Sequence, residues 1–234
     1  MPIVQLDWDS EFFGFKIGII DLQDLDEYDL KYEIERAASL GFSLLYLTHP
    51  YSERFLCDFH RKLSCLLVDT KVTYAKSELC QKFIGHSSLT DGAGFIDQLY
   101  ELAFESGKYS RFKLDPRFGI QSFKKLYRAW VDNCVGKFND QDIFVYEDNG
   151  LVLGFCLVEY PLDRVKISLI GVSSQYQGKG IGRDLCQTVE AYAFQRGFRS
   201  LTVATQLVNH GACKFYEKMG MNLVESVSIY HLWL

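Results

Sequence analysis

At residues 177–182 the chain reads Gln177, Gly178, Lys179, Gly180, Ile181, Gly182, between a β-branched run at 166–172 and an amphipathic run from 183 to 196. Three glycines in five residues let the backbone turn through positive φ and let a ligand come close. A loop of this kind aims free N–H groups and a helix N-terminus at one point, which suits a phosphate or pyrophosphate. It also constrains topology. The strand at 166–172, the loop, the helix and a second strand at 201–205 form a parallel pair with a right-handed crossover. Spacing excludes two common phosphate loops. A Walker A loop has G-x-x-x-x-G-K followed by Ser or Thr, whereas here Gly180 follows Lys179 and Ser173 stands where the first glycine belongs. A dinucleotide fingerprint counted from Gly178 and Gly180 needs a third glycine at 183, which is Arg183.

Turn signals divide the rest of the chain. Gly85-His86-Ser87-Ser88 and Asp91-Gly92-Ala93-Gly94 form one turn-rich break. It sets a small N-terminal α/β domain at 1–84 apart from a larger domain at 85–234. The first reads as strand (15–22), helix (29–40, with Gly41 just past its end), strand (42–47), short helix, strand (65–74). In the second, helices are expected at 95–106 and 121–135. The latter carries Phe123, Leu126, Tyr127, Trp130, Val131 and Cys134 on one stripe, which reads as core and gives Tyr127 and Trp130 no functional role. Asp148-Asn149-Gly150 is a hairpin turn between strands at 142–147 and 151–160. A helix at 211–219 and a strand at 224–233 complete the chain. The expected fold class is α/β (α+β), a mixed sheet flanked by helices.

The formal charge of −5 excludes the basic excess of a general nucleic-acid or membrane-surface binder. Asp7, Asp9 and Glu11 stand where a secretory leader has basic and then apolar residues, and no apolar run is long enough to span a bilayer. A cytoplasmic location without membrane insertion is expected. The seven cysteines lack a C-x-x-C pair and read as buried free thiols; the five histidines show no metal-ligand spacing, so no metal is expected.

Gln177, Gly180 and Gly182 fit Q-x-x-G-x-G, and with this motif the chain resembles the GCN5-related N-acetyltransferase (GNAT) superfamily. Two further pieces extend the likeness across about residues 140–234. Ile167-Ser168-Leu169-Ile170-Gly171-Val172 is similar to that family's fourth strand, and 209–220, with Asn209, Ala212, Phe215, Tyr216, Glu217, Lys218 and Gly220, to its N-x-x-A-x-x-F-Y-E-K-x-G signature. The resemblance implies a GNAT fold and an acyl-CoA-dependent N-acyltransferase with acetyl-CoA as co-substrate. It implies that the backbone from Gln177 to Gly182 holds the CoA pyrophosphate, with Arg183 heading the next helix in the same site. The edge at Ile170, Gly171 and Val172 would pair with the pantetheine arm where that strand splays from the next. Asn209 would contact the pantetheine or orient nearby groups, and Tyr216 would protonate the departing thiolate, its alternative being packing beside Phe215. Direct attack by a neutral amine needs a base, and among Glu159, Asp163 and His210 no spacing selects one.

The acceptor is read from the rest of the chain. Trp8-Asp9-Ser10-Glu11-Phe12-Phe13-Gly14 and Tyr109-Ser110-Arg111-Phe112-Lys113 resemble the WecD-like dTDP-fucosamine acetyltransferases, as do Lys125-Leu126-Tyr127, Ala129-Trp130 and Val203-Ala204-Thr205-Gln206. The Phe215-Tyr216 pair and the full glycine loop fit the general superfamily better than this branch. The branch implies the amino group of a dTDP-linked amino-deoxy sugar as acceptor, with Tyr109, Arg111, Phe112 and Arg117 as substrate residues: aromatic rings stack on thymine and guanidiniums grip a diphosphate. A solvated loop is the alternative for that segment, and domain packing for Trp8, Phe12 and Phe13. The N-terminal domain is expected to serve the acceptor site or dimer packing, with a homodimer left open. Other readings are the same chemistry on a peptide N-terminus, lysine or polyamine, and a non-catalytic acyl-CoA-binding module.

Overall fold

The computed structural model describes residues 3–23, 25–52, 65–79, 83–136 and 141–234. The short helix expected before residue 65 lies outside them. Two compact units emerge: Met1–Val72 with Gln206–Val208 and Glu225–Leu234, and Thr73–Thr205 with Asn209–Val224. Among the described residues no helix is long and apolar enough to cross a membrane.

The first unit contains β1 (Val4–Gln5), α1 (Asp7–Phe13), β2 (Ile17–Asp21), α2 (Glu27–Ser39) and β3 (Leu44–Pro50). It also takes most of β4 (Leu66–Lys76) and of β10 (Asn222–Trp233). β2 and β3 are parallel, from Ile17 opposite Leu44 to Asp21 opposite Thr48, and α2 makes the crossover. β1 adds antiparallel to β2, and β10 antiparallel to β3 from Leu44–Trp233 to Pro50–Val227. The Asp26 side chain caps α2 by accepting the Asp29 N–H at 2.8 Å, and Gly41 ends the segment at φ 77°. Leu30 and Ala37 of α2 pack with Ile20, Leu45, Leu47 and Tyr230 in one buried cluster. Helix α1 was not expected from the sequence. Asp7 and Asp9 favour its first turn, and Gly14 closes it at φ 78°. It has no fully buried residue, so no apolar stripe betrays it.

The second unit holds β5 (Ser88–Thr90), α3 (Ile96–Ser106), α4 (Arg111–Leu114), α5 (Gly119–Cys134), β6 (Gln141–Asp148), β7 (Leu151–Glu159) and β8 (Val165–Val172). Then come α6 (Ile181–Gln195), β9 (Leu201–Gln206) and α7 (His210–Lys218). Its strands run in the order β9-β8-β7-β6-β5, with β8 and β9 parallel and the others antiparallel. This is the expected mixed sheet. Asn149 and Gly150 turn the β6–β7 hairpin at φ 51° and 83°, the two positive angles of a type I′ turn. α5 buries Phe123, Leu126, Tyr127, Val131 and Cys134, while Trp130 is half-buried against Tyr127.

Two glycines set how closely the helices approach. A Cβ at Gly154 would meet Ile181 Cγ2 at 2.8 Å, and one at Gly171 would meet Phe155 Cε1 at 2.8 Å and the Leu102 carbonyl at 3.2 Å. Phe155 lies opposite Gly171, so Gly154 faces the other side of the sheet. α6 therefore covers one face and α3 the other.

Candidate active site

The end of β8 organises the site. β8 and β9 pair only over Val165–Leu201, Lys166–Thr202 and Ile167–Val203, although β8 continues to Val172. At the same place β8 carries one residue too many for β7. Leu157 lies opposite Leu169 and Val158 opposite Ile167, so Ser168 is a bulge, its hydroxyl donating to the Leu157 carbonyl at 3.2 Å. A bulge bends its strand and increases its twist. Here it coincides with the point where β8 leaves β9, and beyond it Leu169, Ile170 and Val172 are half-buried while Gly171 is buried.

The chain then enters a short turn at Ser174–Tyr176 and the glycine loop. Gly178 and Gly180 stand at φ 80° and 89°. Gly180 is the N-cap of α6 and supplies no side-chain cap. The helix begins at Ile181, two residues before the expected start, so Gly182 and Arg183 lie inside its first turn. The first intrahelical bond runs from the Asp184 N–H to the Gly180 carbonyl at 3.0 Å, which leaves the N–H groups of Ile181, Gly182 and Arg183 outside the helical ladder. Gly182 differs from Gly171 in kind. A Cβ there would touch Phe215 at 3.5 Å and Val172 at 3.7 Å, ordinary contact at a position without positive φ. Among the described residues nothing demands a glycine there.

Gln177 acts through its side chain: Nε2 donates to the Val172 carbonyl at 3.1 Å, tying the loop back to the strand end. Lys179 lies over the Tyr176 ring at 4.6 Å, and Ile181 is buried beneath Gly154. Both carboxylate oxygens of Asp184 are occupied by backbone N–H groups, of His86 at 2.9 Å and Ser87 at 2.8 Å.

Asn209 is the N-cap of α7. Its side-chain oxygen accepts the Ala212 N–H at 3.3 Å, and its Nδ2 donates to the Thr205 hydroxyl at 3.4 Å. α7 carries Tyr216, 3% exposed, with ring centroids 5.3 Å from Phe215 and 5.6 Å from Tyr74. Burial pushes the Tyr216 phenol well above its ordinary value, and the neighbouring Cys186, Cys156 and Cys213 add to that. All five described cysteines are free and buried. Of the residues weighed as a base, Glu159 pairs with Lys166 at 2.9 Å and His210 is an exposed first residue of α7.

The expected acceptor residues divide. Phe112 is 7% exposed and meets Phe118 edge-on at 5.2 Å, and Arg111 lies over the Phe112 ring at 4.6 Å. Tyr109 is half-buried and Arg117 exposed. Trp8 and Phe12 stack at 4.9 Å in a run of ring contacts through Phe13 and Phe15 to Trp233. An open groove of about 720 Å³ in the second unit is lined by Glu101 and Glu105 of α3, Lys124 of α5, Leu153 of β7, and Ser173 and Tyr176. It touches the turn before the glycine loop rather than the loop itself. The sequence reading missed what ties that turn down: the Ser174 N–H donates to Glu105 at 2.9 Å, across 69 residues of chain.

Comparison with known proteins shows the family of the chain. The family model described as "Acetyltransferase (GNAT) family" matches residues 96–221, more than half of the chain. The chain belongs to the GNAT acetyltransferase family. Among curated proteins it is similar to the dTDP-fucosamine acetyltransferase of Escherichia coli O6:H1, 33% identical over 57% of this chain and 57% of that one. It is also similar to the spore coat polysaccharide biosynthesis protein SpsD of Bacillus subtilis, 28% identical over 60% of this chain and 48% of that one. The chain thus spans about half the length of these relatives. A crystal structure of a GCN5-related N-acetyltransferase from Sphaerobacter thermophilus superimposes with a TM-score of 0.60, covering 93% of this chain and 73% of that one at 14% identity, a likeness of fold alone.

The local chemistry fits acetyl-CoA, the acyl donor of a GNAT acetyltransferase. The α6 N-terminus offers three backbone donors to an anion, Gly182 leaves the approach open, and β8 beyond Ser168 has an unpaired edge.

Proposed function

We propose that the chain is an acetyl-CoA-dependent N-acetyltransferase whose acceptor is the amino group of a dTDP-linked amino-deoxy sugar. The observation that carries the transferase reading is the coincidence, at the end of β8, of a bulged and splayed strand edge with a helix N-terminus whose glycine has no internal reason to be one. Acetyl-CoA supplies the acyl group as a thioester. The N–H groups of Ile181, Gly182 and Arg183 hold its pyrophosphate. Gln177 keeps the loop registered on Val172, and the free edge of β8 between Ile170 and Val172 receives the pantetheine arm. Tyr216 holds a proton at its hydroxyl for the sulfur that leaves, and its buried setting keeps that phenol protonated throughout the neutral range. Asn209 positions the helix that bears it.

The sugar acceptor is supported by the N-terminal and 109–113 likeness and by the names of the two curated relatives. Arg117 is exposed and suited to a diphosphate, with Tyr109 and Arg111 half-buried nearby in sequence. Phe112 supports the segment from below, packed on Phe118.

Thiol release from acetyl-CoA, measured with dTDP-amino sugars, peptides, lysine and polyamines side by side, tests both parts. Turnover is expected with the sugar nucleotides. Turnover of peptides or polyamines alone would overturn the acceptor, and failure to bind acetyl-CoA in calorimetry would overturn the transferase.

A further inference from the structure

Strand β4 ends inside the second unit, and its last residues grip α7 at two points. Tyr74 donates to the Glu217 carboxylate at 3.3 Å. Lys76, two residues on and on the same side of the strand, reaches three oxygens: both of Glu190, at 3.1 and 2.9 Å, and the Met219 carbonyl at 3.1 Å. Tyr216 comes immediately before Glu217, the first gripped residue, with its ring against Tyr74.

Each partner of Lys76 has a physical meaning. Glu190 is fully buried on α6, four residues after Cys186, on the face turned toward Tyr216. Met219 is the C-cap of α7, and its carbonyl is among the last four that a helix leaves unsatisfied. A lysine there both completes a hydrogen bond and meets the negative end of the helix. Stability alone does not account for the arrangement. Taking two charges out of water offsets most of their attraction, and apolar side chains of similar volume are commonly as stable or more so. What apolar side chains would not supply is the donor to Met219.

We propose that Lys76, held by Glu190, is a positioning residue that fixes the C-terminal end of α7 and thereby the Tyr216 hydroxyl. The inference rests on the reading of Tyr216 as the acid. The Tyr74–Glu217 contact then sets the roll of the helix, and the Lys76–Met219 contact sets its position along its axis.

The test is a cycle of variants assayed with acetyl-CoA and the best acceptor found. Lys76→Met with Glu190→Leu removes both charges together and leaves no buried charge unpaired. This pair is expected to keep the parent's thermal midpoint and its KM for acetyl-CoA while kcat falls about tenfold to a hundredfold, the scale of a small misplacement of a reacting group. Added to Tyr216→Phe, the same pair should lower kcat little further, because both changes remove one function. Where the apolar pair does not fold, Lys76→Gln with Glu190→Gln makes the same comparison, being too short on the strand side to hold Met219. Parent-like kcat in whichever pair folds, or a loss that simply multiplies that of Tyr216→Phe, overturns the proposal. Parent-like kcat in Tyr216→Phe alone overturns the acid reading instead, so the two failures are told apart.

Discussion

The two units use their polar groups in opposite ways. In the first, strand ladders and the cap at Asp26 serve the fold, and the apolar face of α2 lies on β2, β3 and β10. In the second, the same elements are interrupted at one place: β8 bulges at Ser168, leaves β9 after Ile167, and runs into a helix whose cap has no side chain. Each interruption takes hydrogen bonds away from the sheet or helix. Backbone groups released from a ladder are available to a ligand, which is why acetyl-CoA is proposed to bind there. The difference teaches where to look for chemistry in this chain: not at the most polar segment, but where regular pairing stops without a structural substitute.

The largest effect that sharpens this contrast comes from Tyr216. Tyr216→Phe is expected to lower kcat by about 10²–10⁴ with little change in KM for acetyl-CoA, read by steady-state thiol release. The parent should show no falling limb from phenol ionisation below about pH 10, since burial holds the phenol above its ordinary value. The sign for stability follows. A raised folded-state value contributes fully below the unfolded value, near 10, and the contribution is lost as pH rises from there through the raised folded-state value. Alkaline unfolding above that point should therefore be milder in Tyr216→Phe than in the parent.

A comparable loss is expected from the first unit, but in stability rather than catalysis. Leu45 is fully buried on β3. Leu45→Ala should cost about 2–5 kcal/mol in urea unfolding. Acetyl-CoA affinity, measured well below the transition, should stay that of the parent. Lost affinity in folded protein would break the division of labour between the units.

Gly182→Asp comes next, set against Gly171→Ala. An aspartate at 182 should weaken acetyl-CoA about 30- to 100-fold in calorimetry, about 2–3 kcal/mol, by placing a negative charge among the N–H groups proposed to hold the pyrophosphate. The midpoint should not fall, because the first turn of a helix favours an acid and glycine is a poor helix former. Gly171→Ala should do the reverse, lowering the midpoint through its contacts with Phe155 and α3. Equal loss of stability in both would mean that Gly182 is there for packing.

Much of the second unit was legible because its signals are local. The Asn149-Gly150 turn and the stripe of α5 each act over a few residues and stand where the sequence indicates, as does Gly41 after α2 in the first unit. The glycine loop belongs with them, apart from a helix start two residues early. Long-range pairings left no such trace. That β10 lies beside β3 depends on a contact between segments some 180 residues apart, and Lys76 meets Glu190 across 114. Helix α1 escaped because it buries no stripe. Gln177 was read as a ligand contact through its backbone, and the structure adds a side-chain bond to Val172 that only the folded turn creates. Along 109–117 alternating aromatics and cations looked alike in sequence, and burial separates Phe112 from Arg117.

Asn209 gives the smallest effect and the sharpest choice between fold and ligand. Its oxygen caps α7 and its nitrogen bonds Thr205, so both ends of the amide already have protein partners. If the cap is its work, Asn209→Ala should cost about 1 kcal/mol of stability. Asn209→Asp should cost little, since aspartate caps as well as asparagine and the Thr205 hydroxyl can turn to donate to it. Both variants should then bind acetyl-CoA as the parent does, and kcat should follow the cap, lower in Asn209→Ala than in Asn209→Asp, because a frayed first turn loosens the helix that carries Tyr216. If instead the amide contacts the pantetheine, KM for acetyl-CoA should rise in both with the midpoint unchanged. The two accounts differ in which variant is worse and in which constant moves, so thermal melts and one set of saturation curves decide between them.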